Sequence, residues 1–206
     1  MNVRRLTVGP LQENCWIVDG AERAFVIDPG DEGDRIIAAL ERPVEAILLT
    51  HTHFDHVGAV ARLARHTGAP VHCPRLEVPV LKDINRYVFP GYGPYEPYDP
   101  EETLEGGERL SLAGFDIDVL FTPGHSPGHV SFSLADHRLL FDGDVLFQGS
   151  IGRPDLPGGD YATLMATIAG LLDALPGDTQ VLPGHGPATT LGRERATNPF
   201  LHELAS

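Results

Sequence analysis

Apolar residues along the 206-residue chain fall into short runs broken by glycine, proline and aspartate, and these runs predict strands before they predict anything else. Residues 3–8, 15–18 and 24–27 are rich in β-branched and aromatic side chains and are separated by Gly-Pro and Asp-Gly steps. Residues 31–40 change period: Ile36, Ile37 and Leu40 lie at helical spacing behind an acidic first turn. A buried strand follows at 46–49, a helix at 57–66 closed by Gly68, a short strand around Val71, and a helix at 76–81. Strands return at 109–112, 116–121, 130–134 and 139–141. A helix at 161–174 ends at Pro176-Gly177, a strand covers 180–182, and a helical tail starts near Leu191. This order predicts one domain over residues 1–206, built of two α/β halves with their sheets face to face and their helices outside. Residues 84–100, INRYVFPGYGPYEPYDP, are too interrupted by proline and glycine for a regular element.

Four of the predicted strands end in polar clusters. Leu48-Leu49 leads into Thr50-His51-Thr52-His53-Phe54-Asp55-His56, Leu120-Phe121 into Thr122-Pro123-Gly124-His125, Leu140-Phe141 into Asp142-Gly143-Asp144, and Val181-Leu182 into Pro183-Gly184-His185. In α/β architectures, ligands gather in the crevice beyond the carboxyl ends of the strands. Pooled there, His51, His53, Asp55, His56, His125, Asp144 and His185 supply five imidazoles and two carboxylates, enough for two metal ions sharing a bridge. His66, His137 and His202 read as surface residues, His72 as packed beside its strand, and His129 as a structural neighbour of the ligands. Asp28, at the end of the IDPG strand, reads as orienting the histidine loop.

Composition narrows the partners. Fifteen basic against 29 acidic residues give a net charge of −14, so nucleic acid and anionic membrane are disfavoured. No apolar run reaches the length of a membrane span, and no signal-peptide segment is evident, so a cytoplasmic location is expected. Cys15 and Cys73 lack CxxC company and read as reduced, core-like thiols.

Residues 50–56, THTHFDH, resemble the T-H-x-H-x-D-H signature of the metallo-β-lactamase superfamily. TPGHSPGH at 122–129, FDGD at 141–144, PGHGP at 183–187 and RATNPFL at 195–201 extend the resemblance over nearly the whole chain. GSIGRPDLPGG at 149–159 and the NPF tail are similar to short type II glyoxalases, the hydroxyacylglutathione hydrolases. The resemblance implies an αββα sandwich and two divalent metal ions, zinc first and iron or manganese as alternatives. His51, His53 and His125 would hold one ion, Asp55, His56 and His185 the other, with Asp144 bridging. Asp55 and Asp144 would then be the catalytic carboxylates, with a metal-bridging hydroxide attacking a thioester such as S-lactoylglutathione.

Arg153, in the GRPD segment, is expected to brace the ligand loops. Tyr87, Tyr92 and Tyr95 are expected to cap the crevice and bind a small-molecule thioester, glutathione-linked or otherwise. The competing picture for the loop is a flap on the outer helices or on a second subunit of a homo-oligomer. Long type II glyoxalases carry a C-terminal helical domain that has no counterpart before Ser206, which leaves the thiol carrier open. The rival activity is that of the persulfide dioxygenases, which resemble the same motifs and hold one iron, here through His51, His125 and Asp144.

Overall fold

The computed structural model describes residues 1–205. The first sheet holds β1 (Asn2–Val8), β2 (Glu13–Asp19), β3 (Ala24–Ile27), β4 (Val44–Leu48), β5 (Val71–Pro74) and β6 (Glu102–Leu104), in that spatial order. β1 to β3 form an antiparallel meander, and β3 to β6 pair in parallel. The second sheet is built from β7 (Arg109–Leu112), β8 (Phe115–Phe121), β9 (Val130–Leu134), β10 (Leu139–Gly143), β13 (Gln180–Pro183) and β14 (Thr189–Thr190), ordered β14-β13-β10-β9-β8-β7. A small hairpin of β11 (Leu146–Phe147) and β12 (Ser150–Ile151) leaves the end of β10.

Alternation along these strands sorts the apolar residues into three layers. Between the sheets, Trp16, Val18, Phe25, Ile27, Leu48, Ile117, Val119, Phe132, Phe141 and Leu182 make the central core. Their strand neighbours Cys15, Ile17, Val26 and Ile47 face outward onto Ile36 of α1 (Gly33–Ala39) and Val60, Leu63 and Ala64 of α3 (Val60–Thr67). On the far side, Leu140 and Val181 pack with Leu164, Ile168 and Leu171 of α5 (Tyr161–Ala174) and with Leu191 of α6 (Leu191–Thr197). The outcome is the expected αββα sandwich. Cys15 and Cys73 are both buried and free, and among the described residues no helix is long and apolar enough to cross a membrane.

The expected elements are present, with local differences. The helix read over 57–66 is two pieces, the single turn α2 (Phe54–Val57) and α3, which ends where Gly68 takes the left-handed conformation at φ 69°. The break lies at Gly58, where Tyr95 occupies the space a side chain would need. The helix read over 76–81 begins as a 3-10 turn, Arg75–Glu77, and continues as the short α4 (Val78–Lys82). β6 and β14 were not expected from the sequence: Glu-Thr-Leu and Thr-Thr are too short and polar to show a period, and they form by pairing with β5 and β13.

Candidate metal centre

β8, β10 and β13 run in the same sense, since β9 is antiparallel to both β8 and β10 while β10 and β13 pair in parallel. Their carboxyl ends meet that of β4 at one edge of the sandwich. Two backbone bonds join the sheets there: Val130 N–H donates to the Thr50 carbonyl at 2.9 Å and Asn14 N–H to that of Gly184 at 2.7 Å. All seven residues read as ligands are gathered at this edge. One donor atom each from His51, His53 and His125 lies within 4.8 Å of the others, and the same holds for Asp55, His56 and His185.

Asp144 stands between the two groups. Its Oδ1 is 3.4 Å from His56 Nε2, and its Oδ2 is 3.6 Å from His125 Nε2 and 3.7 Å from His185 Nε2. His185 Nε2 also lies 3.2 Å from Asp55 Oδ2. Close approach requires a residue without a side chain behind Asp144. A methyl group on Gly184 would fall 2.4 Å from Asp144 Oδ1 and 2.5 Å from His56 Cε1.

The imidazoles are oriented by their second nitrogens, as metal-binding histidines require. His51 Nδ1 donates to Thr50 Oγ1 at 3.0 Å, and that hydroxyl donates to Asp28 Oδ2 at 2.6 Å. His56 Nδ1 donates to the same Asp28 oxygen at 3.1 Å. His125 Nδ1 donates to the Arg153 carbonyl at 2.9 Å. His53 is turned the other way, with its Nδ1 2.8 Å from His125 Nε2. Asp28, His51 and His56 also bring donor atoms within 4.8 Å of one another, but Asp28 accepts from the Thr50 backbone N–H at 2.8 Å with its other oxygen, so both its oxygens are engaged and it orients both groups without joining either.

The atoms left over fit metal ions. His51 Nε2, His56 Nε2 and Asp144 Oδ1 are buried without any hydrogen-bond partner, which is costly in an interior unless a cation completes them. Burial and the neighbouring His56 push His51 well below its ordinary pKa, and burial with His125 holds His53 at about 4, so both are neutral donors. Burial pushes the Asp144 carboxyl up, but His56, His185 and His125 outweigh it and hold the group well below the usual carboxylate range. The same carboxylates raise His56 well above its ordinary value against the effect of burial.

Glu77 and Glu13 were not read from the sequence, whereas His129 was, as a structural neighbour of the ligands. The buried Glu77 accepts from Thr52 Oγ1 at 2.8 Å with one oxygen, and from Ser126 Oγ at 2.7 Å and Gly128 N–H at 2.8 Å with the other. It thereby ties the 50–56 loop to the 122–129 loop, and an isolated glutamate in a helical pattern gives no signal of that. His129 Nε2 accepts from the Asp144 N–H at 3.2 Å and its Nδ1 donates to Thr122 Oγ1 at 2.9 Å, so it fixes the backbone that carries Asp144. Glu13 is buried with both carboxyl oxygens unpartnered, and burial raises its pKa well above the ordinary value.

Two expected roles take a different form. The guanidinium of Arg153 is exposed and pairs with Asp155 at 2.9 Å, so it is the Arg153 carbonyl, not its side chain, that reaches His125. Tyr87 lines the cleft of about 590 Å³ that opens beside His53, Asp55, His125, Asp144 and His185. Tyr92 and Tyr95 do not line it. They pack behind it on Phe54, with ring centroids 5.1 and 6.0 Å away, and join the outer core. The proline-broken segment has no ladder to pair with and gains its burial by laying these rings on Phe54, between the candidate ligands His53 and Asp55.

Fold and donor set together define a metal-dependent hydrolase. Residues 8–185 match the model of the metallo-beta-lactamase superfamily, and the chain belongs to that superfamily. It is 38% identical to hydroxyacylglutathione hydrolase GloC of Haemophilus influenzae over 98% of this chain and 99% of that protein. It is 40% identical to the probable metallo-hydrolase YqgX of Bacillus subtilis, covering 98% of each. Among solved structures, BLEG-1 B3 metallo-beta-lactamase superposes with a TM-score of 0.92 at 38% identity, over 98% of this chain and 100% of that one. TTHA1623 in a di-iron-bound form superposes with a TM-score of 0.83 at 44% identity, over 97% and 100%.

Proposed function

We propose that the chain hydrolyses a thioester of the hydroxyacylglutathione type, with two metal ions held by His51, His53 and His125 and by Asp55, His56 and His185. The observation that carries this reading is the placement of Asp144, whose two oxygens face donors of both groups within 3.7 Å. A site for one ion would have no use for Asp55, His56 and His185 arranged as a second set of donors. Bound there, divalent ions supply an activated water at neutral pH and Lewis acidity toward a carbonyl. The donor set suits zinc, and also iron or manganese; the di-iron form of TTHA1623 supports iron as the alternative to zinc.

The chain's own residues supply the rest. Asp28, Thr50 and the Arg153 carbonyl hold the imidazoles in one tautomer and one direction. Asp55 and Asp144 would provide the negative charge that keeps cations in place and would accept hydrogen bonds from a water bound there. Tyr87 and the apolar wall of the cleft bind the substrate body and exclude bulk water from the reacting carbonyl. The similarity to the hydroxyacylglutathione hydrolase of Haemophilus influenzae over the full chain supports the thioester class. The likeness to BLEG-1 supports β-lactams as a second substrate class.

The test is to reconstitute the chain with zinc or iron, measure metal per chain, and assay one sample for S-lactoylglutathione hydrolysis, nitrocefin hydrolysis and glutathione-persulfide-dependent oxygen uptake. Two ions per chain with oxygen-independent thioester turnover are expected. A plateau at one iron with oxygen consumption would replace the hydrolase by a persulfide dioxygenase.

A further inference from the structure

The cleft beside the metal donors is mostly apolar. Leu11, Leu76, Val80, Phe89, Phe147 and Leu156 contribute to its wall. Three of these stand open to solvent at its mouth: Leu11 is 38% exposed, Leu76 61% and Phe89 47%. Large apolar side chains converging on one opening mark a surface that binds an apolar group.

Two cations share the lining, and they differ. Arg153 is engaged by both carboxylate oxygens of Asp155, at 3.0 and 2.9 Å. Arg86, on the 3-10 turn Ile84–Arg86, is exposed and has no carboxylate within 4.0 Å among the described residues. The carboxylates of the same lining are already occupied: Asp55 with His185, Glu77 with Thr52, Ser126 and Gly128, and Asp144 among the histidines. Elsewhere Arg62, Arg65, Arg75, Arg109 and Arg138 each meet an acidic partner, and Arg5, Arg23, Arg42 and Arg193, which among the described residues do not, lie outside the cleft lining. With 29 acidic residues in the chain, a guanidinium left unengaged at the wall of an apolar cleft is placed to receive an anion from outside.

We propose that Arg86 sets substrate specificity: the cleft takes thioesters that combine an apolar body with a carboxylate, and Arg86 pairs with that carboxylate. This inference rests on the thioester reading of the metal centre. An uncharged apolar thioester matches the wall and leaves the guanidinium unused. Within the thioester class the substrates favoured therefore carry a carboxylate beside an apolar acyl or thiol body.

The experiment compares S-benzoyl-3-mercaptopropionate with S-benzoyl-2-mercaptoethanol, equal in apolar body and differing in charge, on the metal-loaded full chain and on Arg86→Gln and Arg86→Lys. The wild type should favour the anionic substrate in kcat/KM by about tenfold, the size expected of a charge-assisted contact at a partly covered site. Arg86→Gln should remove that preference through KM with kcat within about twofold, and Arg86→Lys should restore part of it. Equal treatment of the two substrates by the wild type, or an equal loss on both in Arg86→Gln, overturns the proposal. Binding of the non-hydrolysable thioether 3-(benzylthio)propionate, followed by calorimetry on wild type and Arg86→Gln, separates the two readings. If no thioester is turned over while this affinity still falls in Arg86→Gln, the hydrolase reading fails and the selectivity stands. Thioester turnover with affinity indifferent to Arg86 gives the reverse.

Discussion

His56 donates its Nδ1 proton to Asp28 Oδ2 across 3.1 Å, and the same oxygen receives the hydroxyl proton of Thr50. Since Thr50 in turn accepts from His51, one buried carboxylate orients an imidazole in each donor group. Asp28 has φ 49°, a left-handed conformation that asparagine tolerates. Asp28→Asn therefore keeps backbone and size while removing charge. Affinity should fall for both ions by roughly 10- to 100-fold. Competition with a chromophoric chelator measures this, and weakening at one ion alone would refute the shared role.

Asp144→Asn tests the position between the groups. The amide keeps the shape and loses the charge shared by two cations, so the second ion should bind weakly and turnover should drop by roughly a hundredfold or more. Near-normal turnover at full metal occupancy would rule out bridging.

The two groups should lose metal at different acidity. His51 lies well below its ordinary pKa and His53 at about 4, so both are neutral donors well under pH 6.5. His56 and His185 are raised: burial lowers each, but Asp144 and Asp28 around His56, and Asp55 and Asp144 around His185, prevail. An ion at the second group must displace their protons, so its affinity falls as pH drops from above 6.5, and that group should empty first. Metal content after dialysis at stepped pH reads this, and loss of both ions in one step counts against it. In the metal-free chain the raised histidines give stability that is full below 6.5 and lost as pH rises through their folded values. The depressed ones give stability that is lost as pH falls from 6.5 toward 4. The histidines alone place the optimum near pH 6.5, and Glu13 and Asp142, raised by burial, add stability that is lost as pH rises above the ordinary carboxyl range, so a series of melting curves should peak at or below pH 6.5.

Glu77→Ala removes the acceptor of Thr52, Ser126 and Gly128 and leaves buried donors unpaired. A loss of about 3 kcal/mol is expected. Denaturant unfolding gives the value, and an unchanged midpoint would mean that water replaces the carboxylate without cost.

Tyr87 and Tyr95 should separate cleanly. Tyr87→Ala, at the cleft, should raise KM by roughly three- to tenfold with little change in melting temperature. Tyr95→Ala, behind Phe54, should lower stability by about 2 kcal/mol with KM little changed. The opposite pattern would put Tyr95 against substrate.

The difference between these tyrosines shows where the sequence stops being informative. Its apolar runs mark most of the strands because their residues are buried on two faces, as in the Ala-Phe-Val-Ile of β3. The donor residues are legible because each cluster directly follows such a run. The loop tyrosines share one composition and one broken context, and nothing local records that Tyr92 and Tyr95 pack on Phe54 while Tyr87 lines the cleft. Glu77 is illegible for a related reason: its partners come from loops distant in sequence, and nothing local records them. β6 exists because β5 offers an open edge, not because Glu-Thr-Leu prefers to be extended.

The proposed ligands are also divided between the two halves of the chain. His51, His53, Asp55 and His56 leave the first sheet; His125, Asp144 and His185 leave the second. Each donor group thus draws on both halves, and an ion in either would act as a cross-link between segments such as His53 and His125, 72 residues apart. By the chain-entropy reasoning applied to disulfides, closing a loop of that length stabilises the folded state by about 4 kcal/mol. Filling the centre would then do mechanical work as well as chemical: it would clamp one sheet to the other at the edge where the cleft opens, in a chain whose two cysteines are buried and unbridged.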